Sequence, residues 1–432
     1  MDLLTVTSVA VTPVAVKDPP LLNSSGCHQP YALRSIIELR TDAGITGISE
    51  AYGDDPTLAL LARAADALPG LDVFDINGLT RRVVEALGAV AASSPTELIG
   101  PAAVEKTVAQ VVAAFEVACY DVQGKATGRR VADLLGGAVR ETVDFSAYLF
   151  YKWAEHPVGG GADFGPDDWG AALDPDGIVA QARRMVDRYG FGSLKLKGGV
   201  FAPDEEIEAI RALRAEFPEH PLRIDPNANW SVETSVRVAK ALEGELEYLE
   251  DPTPGIPGMA EVASHTALPL ATNMCVTSFA DIPESVRTGA VQIILSDHHF
   301  WGGLRASHRL AGICDTFGLG LSMHSNTHLG ISLAAMTHLA AATPNLTYAL
   351  DTHSPWQRGF DDGGQEVVRP GALNFEGGAL RLPDGPGLGV ELDHDALARL
   401  HEQYVKCGVR RRDDATHMRL VHPDWTGRRP RF

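Results

Sequence analysis

From about residue 140 to residue 351 the chain repeats one pattern, a short apolar run followed by a stretch long enough for a helix. The apolar runs are 143–149, 193–197, 222–227, 246–250, 270–273, 291–297, 319–324 and 346–351. Strands that alternate with helices are joined by crossovers, so they pair in parallel, and eight of them close into a barrel with the helices outside. Lys197, Asp225, Glu250, Asn273, Asp297 and His324 end successive runs, one strand-plus-helix unit apart. A parallel barrel gathers the carboxyl ends of its strands around one mouth. These residues are therefore expected to share one polar cavity although they are distant in the chain.

The first part of the chain follows another rhythm. Residues 4–16 alternate as a strand, and 34–39 and 45–51 flank Thr41-Asp42-Ala43-Gly44 as a hairpin. Helical patterns follow near 57–67, 78–87 and 105–126, the last with Val108, Val111, Val112, Phe115 and Cys119 at helix spacing. This predicts an α+β domain over 1–138, a barrel over 139–380 and a separate C-terminal segment over 381–432, with a helix near 395–405 and a basic tail from Arg410. Residues 18–34 are rich in Pro, Ser, Asn and Gly and too long for a tight turn, which suggests a functional flap. A Gly- and Asp-rich insertion at 159–169 lacks the G-K-[ST] ending of a phosphate-binding loop and reads as a solvated loop.

Composition narrows the partners. The formal charge of -19 argues against nucleic acid and anionic membrane, both of which need a basic surface. Five scattered cysteines without a C-x-x-C pair suggest neither a disulfide framework nor a zinc knuckle. The start has no basic leader with a long apolar core, and no run of 18 or more apolar residues occurs. The expectation is a cytoplasmic enzyme acting on a small molecule.

In Ser193-Leu194-Lys195-Leu196-Lys197 the two-residue strand period puts both leucines on one face and both lysines on the other. The lysines should face the cavity, and their proximity is expected to lower a lysine pKa towards that of a general base. Asp225, Glu250 and Asn273 end three consecutive strands, which lie about 4.8 Å apart, so their oxygens can meet at one ion. Two carboxylates and an amide oxygen make a hard, incomplete site suited to Mg²⁺, whereas zinc would want His or Cys. Asp297 beside His324 is expected to orient the imidazole and raise its pKa. Taken singly, each residue has a plain structural explanation: a polar strand face, a turn former or a satisfied histidine. Together they do not. His328, four residues after His324, hints at a metal pair but no H-E-x-x-H accompanies it, and His298 and His299 read as supporting or surface groups. The first strand also lacks the H-x-H of a zinc amidohydrolase. A positioned base supplies roughly 3 to 5 kcal/mol, too little to remove a proton next to a carboxylate, so lysine base and Mg²⁺ explain each other.

The ordered motifs Gly26-Cys27-His28-Gln29-Pro30, Lys195-Leu196-Lys197-Gly198-Gly199, Asp225-Pro226-Asn227, Glu250-Asp251-Pro252, Ala271-Thr272-Asn273-Met274, Asp297-His298-His299-Phe300-Trp301, His324-Ser325-Asn326 and Asp351-Thr352-His353 run through nearly the whole chain. In these the sequence resembles the enolase superfamily. The resemblance implies an α/β fold, a modified TIM barrel (β/α)7β capped by an α+β domain built from both termini. It implies Mg²⁺ on Asp225, Glu250 and Asn273, Lys197 as one base, and His324 with Asp297 as the other. Lys195 and Asn227 would hold the substrate carboxylate. His28, Tyr148, Asn326, His353 and Arg412 would grip the remainder, Arg412 at the distal carboxylate. The implied reaction is dehydration of a six-carbon aldarate, D-glucarate ahead of L-idarate or galactarate, by a homo-oligomer. Epimerisation of an acid sugar and non-catalytic sugar-acid binding are the rivals. Ala228 departs from the family's usual Gly after Asp-Pro-Asn, and Thr107 is the candidate contact from the capping domain.

Overall fold

The structure is a computed structural model that describes residues 4–89, 101–157, 167–357 and 364–432, without the side chains of 101–105. Most of the insertion at 159–169 lies outside the described residues. Among the described residues, no helix is long and apolar enough to cross a membrane.

Strands Val6–Lys17, Tyr31–Thr41 and Thr46–Tyr52 form an antiparallel sheet in chain order. The turn between the last two carries Gly44 at φ 75°, a conformation that glycine adopts at no steric cost. Helices Asp55–Ala65 and Pro101–Thr127 pack against the sheet and Ile76–Leu87 packs on both of them, with Val111, Phe115, Ala118 and Val122 of the longest fully buried. The expected flap is more structured than its composition suggests. It holds a short hairpin, Leu22–Asn23 with Gly26–Cys27, whose turn is fixed by Asn23 Oδ1 accepting from the backbone N–H of Ser25 and Gly26. Gly26 (φ 152°) lies so close to the C-terminal segment that a Cβ would meet the Asp414 carbonyl at 2.3 Å.

The barrel strands are Thr142–Phe150, Leu194–Lys197, Leu222–Asp225, Tyr248–Glu250, Leu270–Thr272, Ile293–Leu295, Gly320–Ser322 and Leu350–Thr352, all parallel. The eighth pairs with the first, and the circle closes through Tyr348 N–H to the Leu321 carbonyl (3.1 Å) and Asp351 N–H to the Met323 carbonyl (3.0 Å). Among the described residues, seven helices of seven residues or more cover the outside, from Pro175–Tyr189 to Gly330–Ala341, with the short His298–Trp301 turn in a loop, and a 3₁₀ turn, Ser354–Trp356, follows the eighth strand. The architecture is therefore (β/α)7β. Lys197, Asp225 and Glu250 are the last residues of their strands, while Asn273, Asp297 and His324 stand one or two residues beyond theirs.

The C-terminal segment returns to the first domain. Helix His394–Cys407 lies on strand Val6–Lys17, where His401 Nδ1 donates to the Pro13 carbonyl and Gln403 Nε2 to the Ala15 carbonyl, both at 2.7 Å. Two buried acids of the capping domain reach into the barrel. Glu50 accepts from the backbone N–H of Leu329 (2.9 Å) and Ser332 (3.0 Å), and Glu116 from those of Leu304 and Arg305 (2.9 Å each). Each thereby satisfies the orphan donors at the start of a barrel helix that has no side-chain cap of its own.

Candidate active site

The register of the second barrel strand sets the floor of the cavity. Leu194 and Leu196 pack outward in the core, and the alternating Lys195 and Lys197 point inward at acids on other strands. Lys197 Nζ donates to Asp225 Oδ2 at 2.8 Å, and the Tyr148 hydroxyl donates to the same oxygen at 3.2 Å. The other Asp225 oxygen accepts from the Asn227 backbone N–H. Lys195 is fully buried and donates to Glu250 Oε2 (2.5 Å) and Asp351 Oδ2 (2.6 Å), with Asp225 Oδ2 at 3.7 Å. This corrects the expected lysine–lysine depression. Burial pulls the Lys195 pKa down, but Asp351 and Glu250 more than reverse it, so the group is held well above its ordinary value. Nor does Lys195 line the cavity; it sits behind the wall, among carboxylates.

The loops above the strands are bent to suit. Asn227 (φ 59°), Ala228 (φ 58°) and Asp251 (φ 38°) are all left-handed, a conformation unfavourable for side-chain-bearing residues. At 228 this accounts for the glycine usual in the family. The Asp251 carboxylate accepts from Thr272 Oγ1 (2.5 Å) and the Asn273 backbone N–H (2.8 Å), tying two strand ends together.

His324 Nδ1 lies 3.4 Å from Asp297 Oδ2, so the pair adjoins but is loosely bonded. The expected rise in the histidine pKa is not found. Burial, then the cations Lys195, Lys197 and Lys106, push it well below its ordinary value, and burial pushes Asp297 up to about 7. Asp297 Oδ1 is instead engaged by the His299 backbone N–H at 2.7 Å. His298 and His299 are both buried, which removes the surface reading. His328 has its donor atom grouped with those of Asp297 and His299, not with His324.

The far wall comes from the flap and the C-terminal segment. Arg412 donates to both oxygens of Asp414 and, from one terminal nitrogen, to His28 Nε2 at 3.1 Å. His28 Nε2 is thus the acceptor, and its Nδ1–H donates to Asp18 Oδ2 at 3.0 Å. Of the three consecutive arginines it is Arg412 that reaches the cavity, while Arg410 stacks on Tyr404 and Arg411 is exposed.

The cavity measures about 570 Å³ with its open mouth included. Lys197, Asn227, Asn273 and His324 line it at the strand ends, and His28, Tyr148, Asn326, His353 and Arg412 on the walls. Asp225, Glu250 and Asp297 stand behind this lining. Two residues escaped the sequence reading. Lys106 comes from the long capping helix, donates to the Asn273 carbonyl, lies 4.0 Å from the centre of the Phe300 ring, and has its pKa lowered by burial to about 8. A lysine preceding an apolar helical stripe was the available signal. Asp351, the middle residue of the eighth strand and the last of the apolar run 346–351, follows the same rule as the other acids. Thr107 is buried beside Lys106 but does not line the cavity.

Barrel, cap and cavity define the class. Residues 6–136 match the family model described as Mandelate racemase / muconate lactonizing enzyme, N-terminal domain, and residues 177–396 match Enolase C-terminal domain-like. The chain belongs to the enolase superfamily. Within it, the chain is 54% identical over 428 residues to a "Probable glucarate dehydratase" of Streptomyces coelicolor, covering 98% of this chain and 97% of that protein. It is 60% identical to an enolase from Mycobacterium smegmatis crystallised with tartrate (TM-score 0.92, covering 100% and 99% of the chains). It is 58% identical to one from Thermobispora bispora crystallised with magnesium and formate (TM-score 0.93, covering 99% and 100%).

Proposed function

We propose that this enzyme is a Mg²⁺-dependent dehydratase of a six-carbon aldarate, with D-glucarate preferred and 5-dehydro-4-deoxy-D-glucarate as product. One observation carries the reading: an ammonium group, Lys197, and an imidazole, His324, stand on the wall of one cavity whose opposite end presents Arg412. The protein's likeness to a probable glucarate dehydratase and to relatives crystallised with magnesium or with tartrate supports it.

Asp225, Glu250 and Asn273 would hold the ion. They suit a hard cation because the donor set is all oxygen, and because the buried Glu250 Oε1 has no hydrogen-bond partner among the described residues. When bound, Mg²⁺ supplies positive charge beside the substrate carboxylate, lowering the cost of the carbanion next to it.

The chain's own groups divide the remaining work. Arg412 fixes the distal carboxylate, with His28 accepting from one terminal nitrogen and so setting the guanidinium, and Asn227 and Asn326 orient the polar chain between. Lys195 neutralises the acids behind the wall and keeps them in place. Burial keeps His324 neutral, the form that can accept a proton. His324 takes the proton from the carbon next to the carboxylate on one face, and Lys197 serves substrates presented on the other. The C–H electron pair forms the new double bond as the hydroxyl on the adjacent carbon departs. His324 then returns its proton to that hydroxyl, so water leaves and the enol product tautomerises to the keto acid.

A panel of acid sugars incubated with Mg²⁺ and scored for α-keto acid tests this, with D-glucarate expected to turn over fastest. Absence of keto acid from every aldarate overturns it. Solvent deuterium entering the substrate without loss of water would favour epimerisation instead.

A further inference from the structure

Outside the cavity, three metal-capable side chains converge from three separate segments. Cys27 lies in the flap hairpin, His156 on the loop after the first barrel strand, and His417 on helix Asp414–Arg419. Their donor atoms all lie within 4.8 Å of one another, and Cys27 and His417 are buried. We propose that Cys27, His156 and His417 form a second metal site, one for Zn²⁺, which clamps the flap, the first loop and the C-terminal helix together over the substrate cavity.

The geometry fits that ion. His156 Nδ1 and His417 Nε2 stand 3.2 Å apart with their rings edge to face. Two nitrogens on one tetrahedral Zn²⁺, at roughly 2.0–2.1 Å each, are held about 3.3 Å apart. The remaining nitrogen of His156 is 2.7 Å from the Asp18 carbonyl, which can only accept, so Nε2 carries the hydrogen and Nδ1 presents its lone pair, which without metal accepts from His417 Nε2–H and with metal is freed by moving that hydrogen to His417 Nδ1. This is the outer-shell arrangement that orients metal-bound histidines. A donor set of one sulfur and two imidazoles selects a thiophilic ion over Mg²⁺. A water completes the tetrahedron on the half-exposed side of His156.

The surroundings favour a cation. Burial and then the charges of Asp414 and Asp18 push the Cys27 thiol up, against a smaller opposing effect of Lys152. The field that discourages a bare thiolate is the one that attracts Zn²⁺. Burial also depresses His417, to about 4, and His156, so both rings are neutral near pH 7 and need lose no proton to bind. Binding therefore releases one proton, from Cys27: the S–H bond breaks, its electron pair becomes the Zn–S bond, and the proton passes to buffer. His28 adjoins Cys27, and Arg412 precedes the His417 helix, so the clamp would fix the two residues at the distal end of the cavity.

The test is a Zn²⁺ titration of the full-length protein with Mg²⁺ saturating, against a chromophoric chelator, paired with Co²⁺ substitution. One tight Zn²⁺ per chain is expected, weakened at least tenfold in Cys27→Ala and in His417→Ala. With Co²⁺, a thiolate charge-transfer band should appear in the near ultraviolet and vanish in Cys27→Ala. Zn²⁺ should raise the melting temperature of the wild type and not that of Cys27→Ala. If a variant fails to fold, the Co²⁺ band of the wild type still decides. No tight Zn²⁺ and no such band overturn the proposal. Binding that survives Cys27→Ala but is lost in His328→Ala overturns it too, by placing the ion at the Asp297, His299 and His328 cluster.

Discussion

Lys195 is set among three buried acids, of which Asp225 also pairs with Lys197 and Asp351 lies 3.9 Å from Arg223, and Lys195→Met shows what it holds together. Methionine keeps the length and the packing but removes the charge. Glu250 and Asp351 both lie within 2.6 Å of Nζ, so without it two carboxylate oxygens are left no more than about 5 Å apart. At an effective dielectric near 20 that repulsion is about 3 kcal/mol. Mutational experience with broken buried ion pairs gives ~3–5 kcal/mol. Set against a total stability of about 5–15 kcal/mol, this is a large loss. Urea unfolding of the metal-free protein, wild type beside variant, measures it. The pH dependence supplies the sign. The Glu250 carboxyl is already held well above its ordinary value, chiefly by burial with Lys195 opposing, and losing Lys195 raises it further. A carboxyl whose folded pKa exceeds its unfolded value destabilises increasingly as pH rises above the unfolded value. The deficit of Lys195→Met should therefore grow as pH rises and shrink on acidification towards the ordinary carboxylate range. A variant within about 0.5 kcal/mol of wild type near pH 8, where surface substitutions ordinarily fall, would refute the reasoning. So would a deficit that grows on acidification.

Lys197→Ala and His324→Ala should each leave the fold intact, by circular dichroism and melting, and reduce keto-acid formation by at least about 10²-fold, the low end for a positioned acid or base; retained turnover in both would defeat the assigned roles. His338 accepts the Ala132 N–H at Nδ1 and donates from Nε2 to the Leu388 carbonyl, so it is built into the fold as the neutral ring. Burial lowers its pKa from 6.5 to about 4, which gives a stability term present above pH 6.5 and lost between 6.5 and 4, about 3 kcal/mol at most. Unfolding free energies measured across that range should fall more steeply in wild type than in His338→Gln. At Ala228, φ 58° admits glycine freely and a β-branched residue poorly. Ala228→Gly should stay within about 1 kcal/mol of wild type in urea melts, whereas Ala228→Val should cost more than ~2 kcal/mol.

The barrel and the inward set of the two lysines were legible because a parallel barrel turns linear spacing into angular position, and the strand period of two fixes which side chains face in. The strand-end acids followed by the same rule, and Asp351 would have followed had it been extended to the eighth strand. Lys106 was hidden for a different reason. It enters from the capping helix, across a domain boundary that no periodicity crosses. The histidine–aspartate proximity could be read, but its electrostatic sign could not. That sign depends on how many cations share the cavity and how far water is excluded, both of which are set by packing. The flap illustrates the same limit: its turn-rich composition points to a functional flap but not to what it rests on, and Gly26 lets it seat directly on the C-terminal segment.

Glu50 and Glu116 give the two lobes a dependence that reaches beyond contact area. Two helices of the barrel begin on carboxylates that the barrel's own sequence does not encode. A barrel excised from its partner would start helix Leu304–Phe317 on bare amides and leave helix Gly330–Ala341 with Glu366 alone at its first turn, so both would fray beside the loops that carry Asp297 and Asn326. Swapping caps among relatives to redirect substrate choice must therefore preserve both glutamates, or the chemistry will loosen together with the selectivity.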